Sequence, residues 1–469
     1  MRVFKNKALK AACAVFAFSY GVLGVMPSIC SDKDSSGTAL SGNITNSISE
    51  GCISSSLRKT ASSSFSKTAS SSFIKTASSF DSNSSNISGT SSNSAFAGNT
   101  KQFARSKASK GAEYNSWGVY TLGFNEFAPK LTDYTTTVKV AVIDCGVDMD
   151  HPFLKDRLTS DGYDFIDHDY YPNDKDGHGT HVAGIIADCT RGLNVQIMPI
   201  RVMSNNYAAN CDISVGVEYA VNHEADVINL SLNGAPDIYR EDAIQYAVDA
   251  GVVVVVSAGN EYDDVKNWGP AQLKDVIVVS NMDEEFYSAW DTNYGSTVDV
   301  CAPGVYVYSC WNDGAFEHLS GTSMSAPHIS ALAAMLLIEN PSLTPAQVEK
   351  KIKSYAKDLG DDGWDKYYGH GYPDMSEVKV VVPEKVELSK KSASIKVGKS
   401  VSLVYSIIPS DTTSDYVSFK SSNSKVATVS TKGKVKGIKA GKATITATTA
   451  NGLTAKCTVT VTDDSADKQ

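Results

Sequence analysis

Five stretches of this chain are nearly continuous in apolar residues, and each runs out into small or polar ones: VKVAVID (138–144), VQIMPIRVM (195–203), DVINLSL (226–232), VVVVVSAG (252–259) and DVIVVS (275–280). A strand with one wet face alternates in character. A run that is apolar at almost every position is buried on both faces, as in parallel sheets covered by helices. Helical patterns lie between the runs, among them SVGVEYAVNHEA (214–225) and REDAIQYAVDA (240–250). This strand–helix–strand alternation predicts an α/β fold with a parallel sheet, in which functional groups gather at the C-terminal ends of the strands.

That region is one of several. The 469 residues carry a net charge of −9, unevenly spread. Residues 111–383 hold 16 Lys and Arg against 41 Asp and Glu, whereas residues 384–462 hold 13 Lys against 4 acids, and residues 1–110 hold 13 basic against 4 acidic residues. The strongly acidic central region argues against nucleic-acid binding. Residues 1–30 read as an export signal: Arg2, Lys5, Lys7 and Lys10 precede an apolar stretch from Ala11 to Met26. A retained anchor is the alternative. Residues 31–112 are Ser-rich and repeat KTASSSFS, KTASSSFI and KTASSF between 59 and 80. With so little apolar surface to bury they read as disordered, either a tether or a removable pro-segment. Residues 113–380 make the α/β domain. Residues 384–462 carry short alternating runs (VSLVYSI, KVATVS, KATITATT, TAKCTVTV) and predict a small all-β sandwich, followed by a tail at 463–469. The nine cysteines are scattered without a CxxC pair, which argues against zinc and leaves room for one or two disulfides of unassigned pairing.

Four polar residues stand where the α/β pattern collects function. Asp144 ends the first apolar run, a costly place for a charge unless it is hydrogen-bonded. His178 opens HGTHVAG (178–184), and Asn260 follows the fourth run in SAGN. Ser323 sits in GTSMSAPH (321–328), just ahead of the apolar helix ISALAAMLLIE. A carboxylate, an imidazole and a hydroxyl are the parts of an activated nucleophile, and an amide can hold an oxyanion. One such donor is worth about 3 kcal/mol, or 100- to 1,000-fold in rate. The bland readings are a turn Asp, a structural His, a turn Asn and a helix-capping Ser. A metal held by His178 and His181 lacks a third ligand nearby, and the acidic loop DHDYYPNDKDG fails the spacing of a calcium loop. The nucleophile elbow GxSxG is unmatched, because Ser325 takes the second glycine position.

Taken together, VAVIDCGVDMDHP, DGHGTHVAGIIA, INLSLNG, SAGN, VDVCAPG and SGTSMSAPH resemble the subtilisin-like serine proteases (subtilases, peptidase family S8). The resemblance covers roughly 113–380 and keeps the family's order of Asp, His and Ser. It implies an exported endopeptidase that hydrolyses peptide bonds through an acyl-enzyme, with Asp144, His178 and Ser323 catalytic and Asn260 at the oxyanion. It also implies that Ser231, Leu232, Asn233 and Gly234 bind substrate backbone as an added strand, that His181 is structural, and that the Ser323 helix turns its N-terminal dipole toward developing negative charge. SSNSKVATVSTKGKVKGIKAGKATITAT resembles a bacterial Ig-like domain of group 2.

The chain departs from the subtilase pattern at three places. Cys145 follows the Asp where Ser or Thr is commoner, Phe153 stands where relatives with a calcium site carry Asp, and the Ser-rich segment is unlike a folded chaperone domain. No cofactor is therefore expected, with a structural calcium left open and no site assigned to it. Expected partners are protein or peptide substrates and bacterial cell wall held through the basic C-terminal domain, and the expected location is extracellular, secreted or at the cell surface. The rival from another class is a surface adhesion or scaffold protein with an inactive protease domain. A narrow processing protease is a second alternative, because the insertions at Asp161–Lys175 and Tyr207–Cys211 flank the site.

Overall fold

The computed structural model describes residues 116–463 apart from 205, 206 and 209. The expected export signal, the whole of the Ser-rich segment and all but the first residue of the tail lie outside the described residues. The first apolar run is strand β1 (Val138–Asp144), and its side chains divide between two cores. Val138, Val140 and Val142 face one, and Ala141 and Ile143 the other. The runs are thus continuously apolar because each strand is dry on both faces.

Around β1 lie β2 (Tyr163–Asp164), β3 (Val195–Arg201), β4 (Val227–Leu230), β5 (Val253–Ser257), β6 (Ile277–Met282) and β7 (Val298–Pro303). They form a seven-stranded sheet in the order β2-β3-β1-β4-β5-β6-β7, with every pairing parallel. Helices α1 (His178–Cys189) and α4 (Thr322–Glu339) pack on one face. Helices α2 (Asn210–Asn222) and α3 (Ile238–Asp249) pack on the other. The strand order reverses between β1 and β4, and a crevice opens at the C-terminal ends of two strands where the chain leaves in opposite directions. Asp144 and Ser231 lie at that point. Among the described residues no helix is long and apolar enough to cross a membrane.

Helix α4 is buried all round, and Ser323 is its one residue that is not. Such a helix belongs to the interior of a domain rather than its surface. A hairpin of β8 (Val307–Trp311) and β9 (Ala315–Leu319) precedes it, and α5 (Pro345–Ser354) follows, capped by a reciprocal Thr344–Gln347 box.

From Lys385 the chain is all β, as expected. Gly441–Thr449 pairs with Thr454–Thr462 and, on its other edge, with Val417–Ser421; a three-stranded and a two-stranded sheet complete the sandwich. Its core gathers Leu403, Val435, Ile445, Cys457, Val459 and Val461. Two loops fasten it to the α/β part. The Ala450 carbonyl accepts from Thr135 N (3.2 Å) and from the Thr135 and Thr136 hydroxyls (3.3 and 3.4 Å). Ser414 Oγ donates to the Glu339 carbonyl at the end of α4 (2.5 Å), and Asn340 Nδ2 donates to Asp415 (3.0 Å). The disulfides left open by composition do not form among the described side chains: Cys145, Cys189, Cys301, Cys310 and Cys457 are buried free thiols.

One buried ion pair ties α5 to the sheet. Asp299 on β7 accepts from Lys353 at 2.6 Å and from Val278 N at 2.8 Å. Burial pushes its carboxyl up to about 6, against the pull of Lys353. Because the folded-state value lies above the ordinary one, a proton stabilises the fold at this position, and the cost of the charge grows as pH rises through that range. Lys353→Met therefore costs about 3 kcal/mol at pH 8, where a buried carboxylate loses its counter-charge, and clearly less at pH 5. Chemical unfolding of the full chain at the two pH values measures both.

Candidate active site

The site is assembled from strand ends. Asp144 closes β1 fully buried, and its Oδ1 accepts from Cys145 N at 2.8 Å. His178, the first residue of α1, brings Nδ1 to within 2.9 and 3.0 Å of the two Asp144 oxygens. A side chain at Gly179 would meet the Gly146 carbonyl and Asp144, so glycine there lets α1 come down onto the strand end. With Nδ1–H donated to the carboxylate, Nε2 carries the lone pair and has no hydrogen bond of its own. Burial works against a charged ring, but the Asp144 carboxylate, followed by Asp174 and Asp176, outweighs it and holds the imidazole above its ordinary value.

Ser323 reaches the same place from the other side. The β1–β4 register pairs Val142 with Asn229, so Asp144 and Ser231 stand one strand apart at the same height. Ser323 and Ser231 are joined twice: Ser231 Oγ donates to the Ser323 carbonyl (2.8 Å), and Ser323 Oγ donates to the Ser231 carbonyl (3.2 Å). The hydroxyl thus rests on Ser231, and no hydrogen bond joins it to His178 in this state. Asn260 follows β5. Its Oδ1 accepts from Thr322 N (2.8 Å) and Thr322 Oγ1 (3.1 Å). Two donors on one atom identify it as the oxygen, which leaves Nδ2 as a free donor beside the residue that precedes Ser323.

The segment Ser231–Gly234 leaves β4 with one anchor on each side. Gly234 exchanges backbone hydrogen bonds with Gly269 (3.0 and 2.9 Å), while the backbone groups of Leu232 have no partner. An open edge of this kind accepts an added strand. His181 does not face the site. Its Nε2 lies 3.1 Å from the Val307 carbonyl and 3.2 Å from that of Glu317, and burial depresses its pKa to about 3. Nε2 donates to these carbonyls of the β8–β9 hairpin, which ties the start of α1 to it.

Several residues that position the site carry no signal in the sequence pattern. Asp174 accepts from Cys145 Sγ (3.0 Å), Asp176 N (2.8 Å) and Gly177 N (2.9 Å) on one oxygen, and from Thr180 N (2.9 Å) and Thr180 Oγ1 (2.6 Å) on the other. It organises the entry into α1. Cys145, Asp174 and Asp176 lie close enough to suggest a metal site, but the five donors on Asp174 leave it no lone pair for an ion. Asn293 braces the Asn260 loop. Its Oδ1 accepts from Glu261 N and Asp263 N (both 2.9 Å), and its Nδ2 donates to the Ala258 carbonyl (3.1 Å) and Glu261 Oε2 (2.7 Å). That same Glu261 oxygen accepts from Asn260 N (2.9 Å) and Asn233 Nδ2 (3.0 Å), linking the open segment to the Asn260 loop. The segment Asp161–Lys175 is held by buried Arg201, whose Nη1 lies 2.7 Å from Asp164 and 2.8 Å from Asp167.

Comparison with known proteins finds relatives of both described parts of the chain. Residues 383–461 match the model of the bacterial Ig-like domain (group 2). The chain is 38% identical over 226 residues to the alkaline serine exoprotease A of Vibrio alginolyticus, covering 47% of this chain and 42% of that protein. It is 35% identical over 272 residues to the thermophilic serine proteinase of Bacillus sp. (strain AK1), covering 56% and 65%. It is 36% identical over 246 residues to subtilisin DY of Bacillus licheniformis, covering 50% and 88%. The chain thus spans less than two thirds of the first two relatives and most of the third. Residues 135–371 match the model of the subtilase family, and the chain belongs to that family.

Proposed function

We propose that the protein is an extracellular serine endopeptidase whose catalytic domain spans residues 113–380, with the Ig-like domain at 384–462. The observation that carries this reading is the Asp144–His178 pair standing one strand away from the doubly bonded Ser231–Ser323 contact. In the reaction Ser323 Oγ turns from the Ser231 carbonyl toward His178. Nε2 takes the hydroxyl proton as Oγ attacks the scissile carbonyl carbon. The imidazolium that forms is held by Asp144, and the new oxyanion is met by Asn260 Nδ2 and the backbone N–H of Ser323. The Nε2 proton then passes to the leaving amine, the peptide bond breaks, and an ester to Ser323 remains. Water, deprotonated by the same nitrogen, releases the acid. Substrate backbone adds along Ser231–Gly234. No step needs a metal. A structural calcium would stand outside this chemistry.

An alkyl fluorophosphonate probe tests the assignment. Wild-type chain is labelled and Ser323→Ala is not, whereas absence of label on folded wild-type chain would favour a catalytically silent scaffold. The pH profile gives a second check. His178 must be neutral to act as base, and its carboxylate neighbours hold it protonated above the ordinary 6.5. The acid limb of kcat/KM therefore lies above that value, and Asp176→Asn, by removing a negative charge, moves it toward acid.

The Ig-like domain serves in this reading as a contact to anionic wall polymers. Lys434 and Lys436 point outward on a strand whose Val435 turns into the core, in a domain with 13 Lys against 4 acids. Co-sedimentation of the full chain with purified cell walls is expected at low salt and lost by about 0.5 M salt, where screening shortens to a few ångströms. Retention that ignores salt would remove the electrostatic account.

A further inference from the structure

Pro327 lies four residues after Ser323 inside α4. In a regular helix the amide of residue 327 would donate to the carbonyl of residue 323, and proline has no amide proton to give. The Ser323 carbonyl is nevertheless satisfied, from outside its own helix, by Ser231 Oγ. Behind that hydroxyl runs a buried line of polar groups. Asn229 Nδ2 lies 3.0 Å from Ser231 Oγ, and Ser330 Oγ, two helical turns below Ser323, lies 2.8 Å from Asn229 Oδ1. Ser231, Asn229 and Ser330 are all buried.

The line has one direction. A backbone carbonyl only accepts, so the single Ser231 proton goes to Ser323. Ser231 Oγ must then accept, and an amide nitrogen is what it faces. The Asn229 oxygen is thereby turned to Ser330, which donates to it. Were the Asn229 amide reversed, Ser231 would stand between two acceptors with one proton, and a buried acceptor would go unpaired, at a cost of about 1–3 kcal/mol. Ser330 at a mid-helix position would ordinarily give its proton back to the carbonyl four residues earlier, and here it gives it to the strand instead. At the same turn, Thr322 N is held by Asn260 Oδ1. The 321–322 peptide and the 323–324 peptide, which bracket the Ser323 N–H, are thus each pinned by a side chain from outside the helix.

We propose that Ser330, Asn229 and Ser231 form a directional hydrogen-bond chain that replaces the amide Pro327 lacks, and that Ser330 and Asn229 are thereby positioning residues for the Ser323 nucleophile and its oxyanion amide. This rests on the protease reading above. Without the chain, the first turn of α4 has a carbonyl with no donor and is free to rotate, and Ser323 N–H and Oγ lose their aim together.

The test combines single and double variants of the full chain, with kcat and KM on a peptide substrate, fluorophosphonate labelling rates and thermal midpoints. Ser330→Ala is expected to lower kcat and the labelling rate about tenfold with KM within twofold, the loss of about one buried hydrogen bond. Ser330→Thr, which keeps the hydroxyl, restores most of it. In a Ser231→Ala background Ser330→Ala has no further effect on kcat. Pro327→Ala returns an amide proton to the helix, so Ser231→Ala, costly in the parent, costs less than threefold beside it. The proposal is overturned if Ser330→Ala lowers only the thermal midpoint, if the Ser330 and Ser231 effects on kcat multiply independently, or if Pro327→Ala leaves the Ser231→Ala loss unchanged. If wild-type chain takes no label, the protease reading fails by itself. The hydrogen-bond chain is then judged on thermal midpoints, where Ser231→Ala and Pro327→Ala must be strongly non-additive for it to stand.

Discussion

A carboxylate at the end of a strand that is dry on both faces is the constraint around which this molecule is arranged. Asp144 has no water to solvate it, and an isolated charge in such a place is prohibitive. It is made tolerable by the Cys145 amide and the His178 ring, and the ring can reach it because α1 opens at His178 and presents a glycine next. Asp174 stands behind that opening and orders its backbone. The same requirement therefore shapes the entry to α1, the orientation of the imidazole and the direction in which its remaining lone pair points.

The opposite wall answers a different requirement. Helix α4 carries the Ser323 hydroxyl at its exposed tip while the rest of it fills the interior. Its first turn is held by groups that follow the strands, Asn260 at the 321–322 peptide and Ser231 at the 323–324 peptide. This wall of the crevice is thus assembled by side chain–backbone hydrogen bonds between elements far apart in the chain. Such contacts hold their geometry only when the surrounding packing is dense, as it is along the fully buried length of α4.

The continuous apolar runs were readable because two-sided burial removes the need for polar alternation, and the parallel sheet followed from them. Asp144, His178, Asn260 and Ser323 were readable because each is a polar residue where an apolar element begins or ends. Asp174, Glu261, Asn293 and Thr322 were not. They act by accepting or donating to loop backbone, and Asp, Glu, Asn and Thr in a loop look alike in sequence whatever they hold. Ser330 is the extreme case, a small residue in an apolar helix that reads as packing until its partner on β4 is seen. Disulfides were left open by composition, and the five described thiols instead fill core positions as small hydrophobes.

The fastening of the sandwich to the end of α4 has a mechanical consequence. The Ser414 hydroxyl caps the Glu339 carbonyl, and the opposite end of that helix, about 25 Å away at 1.5 Å per residue, bears Ser323. A stiff rod joins the two, so any load on the β domain is transmitted lengthwise toward the cleft instead of being absorbed by a slack hinge.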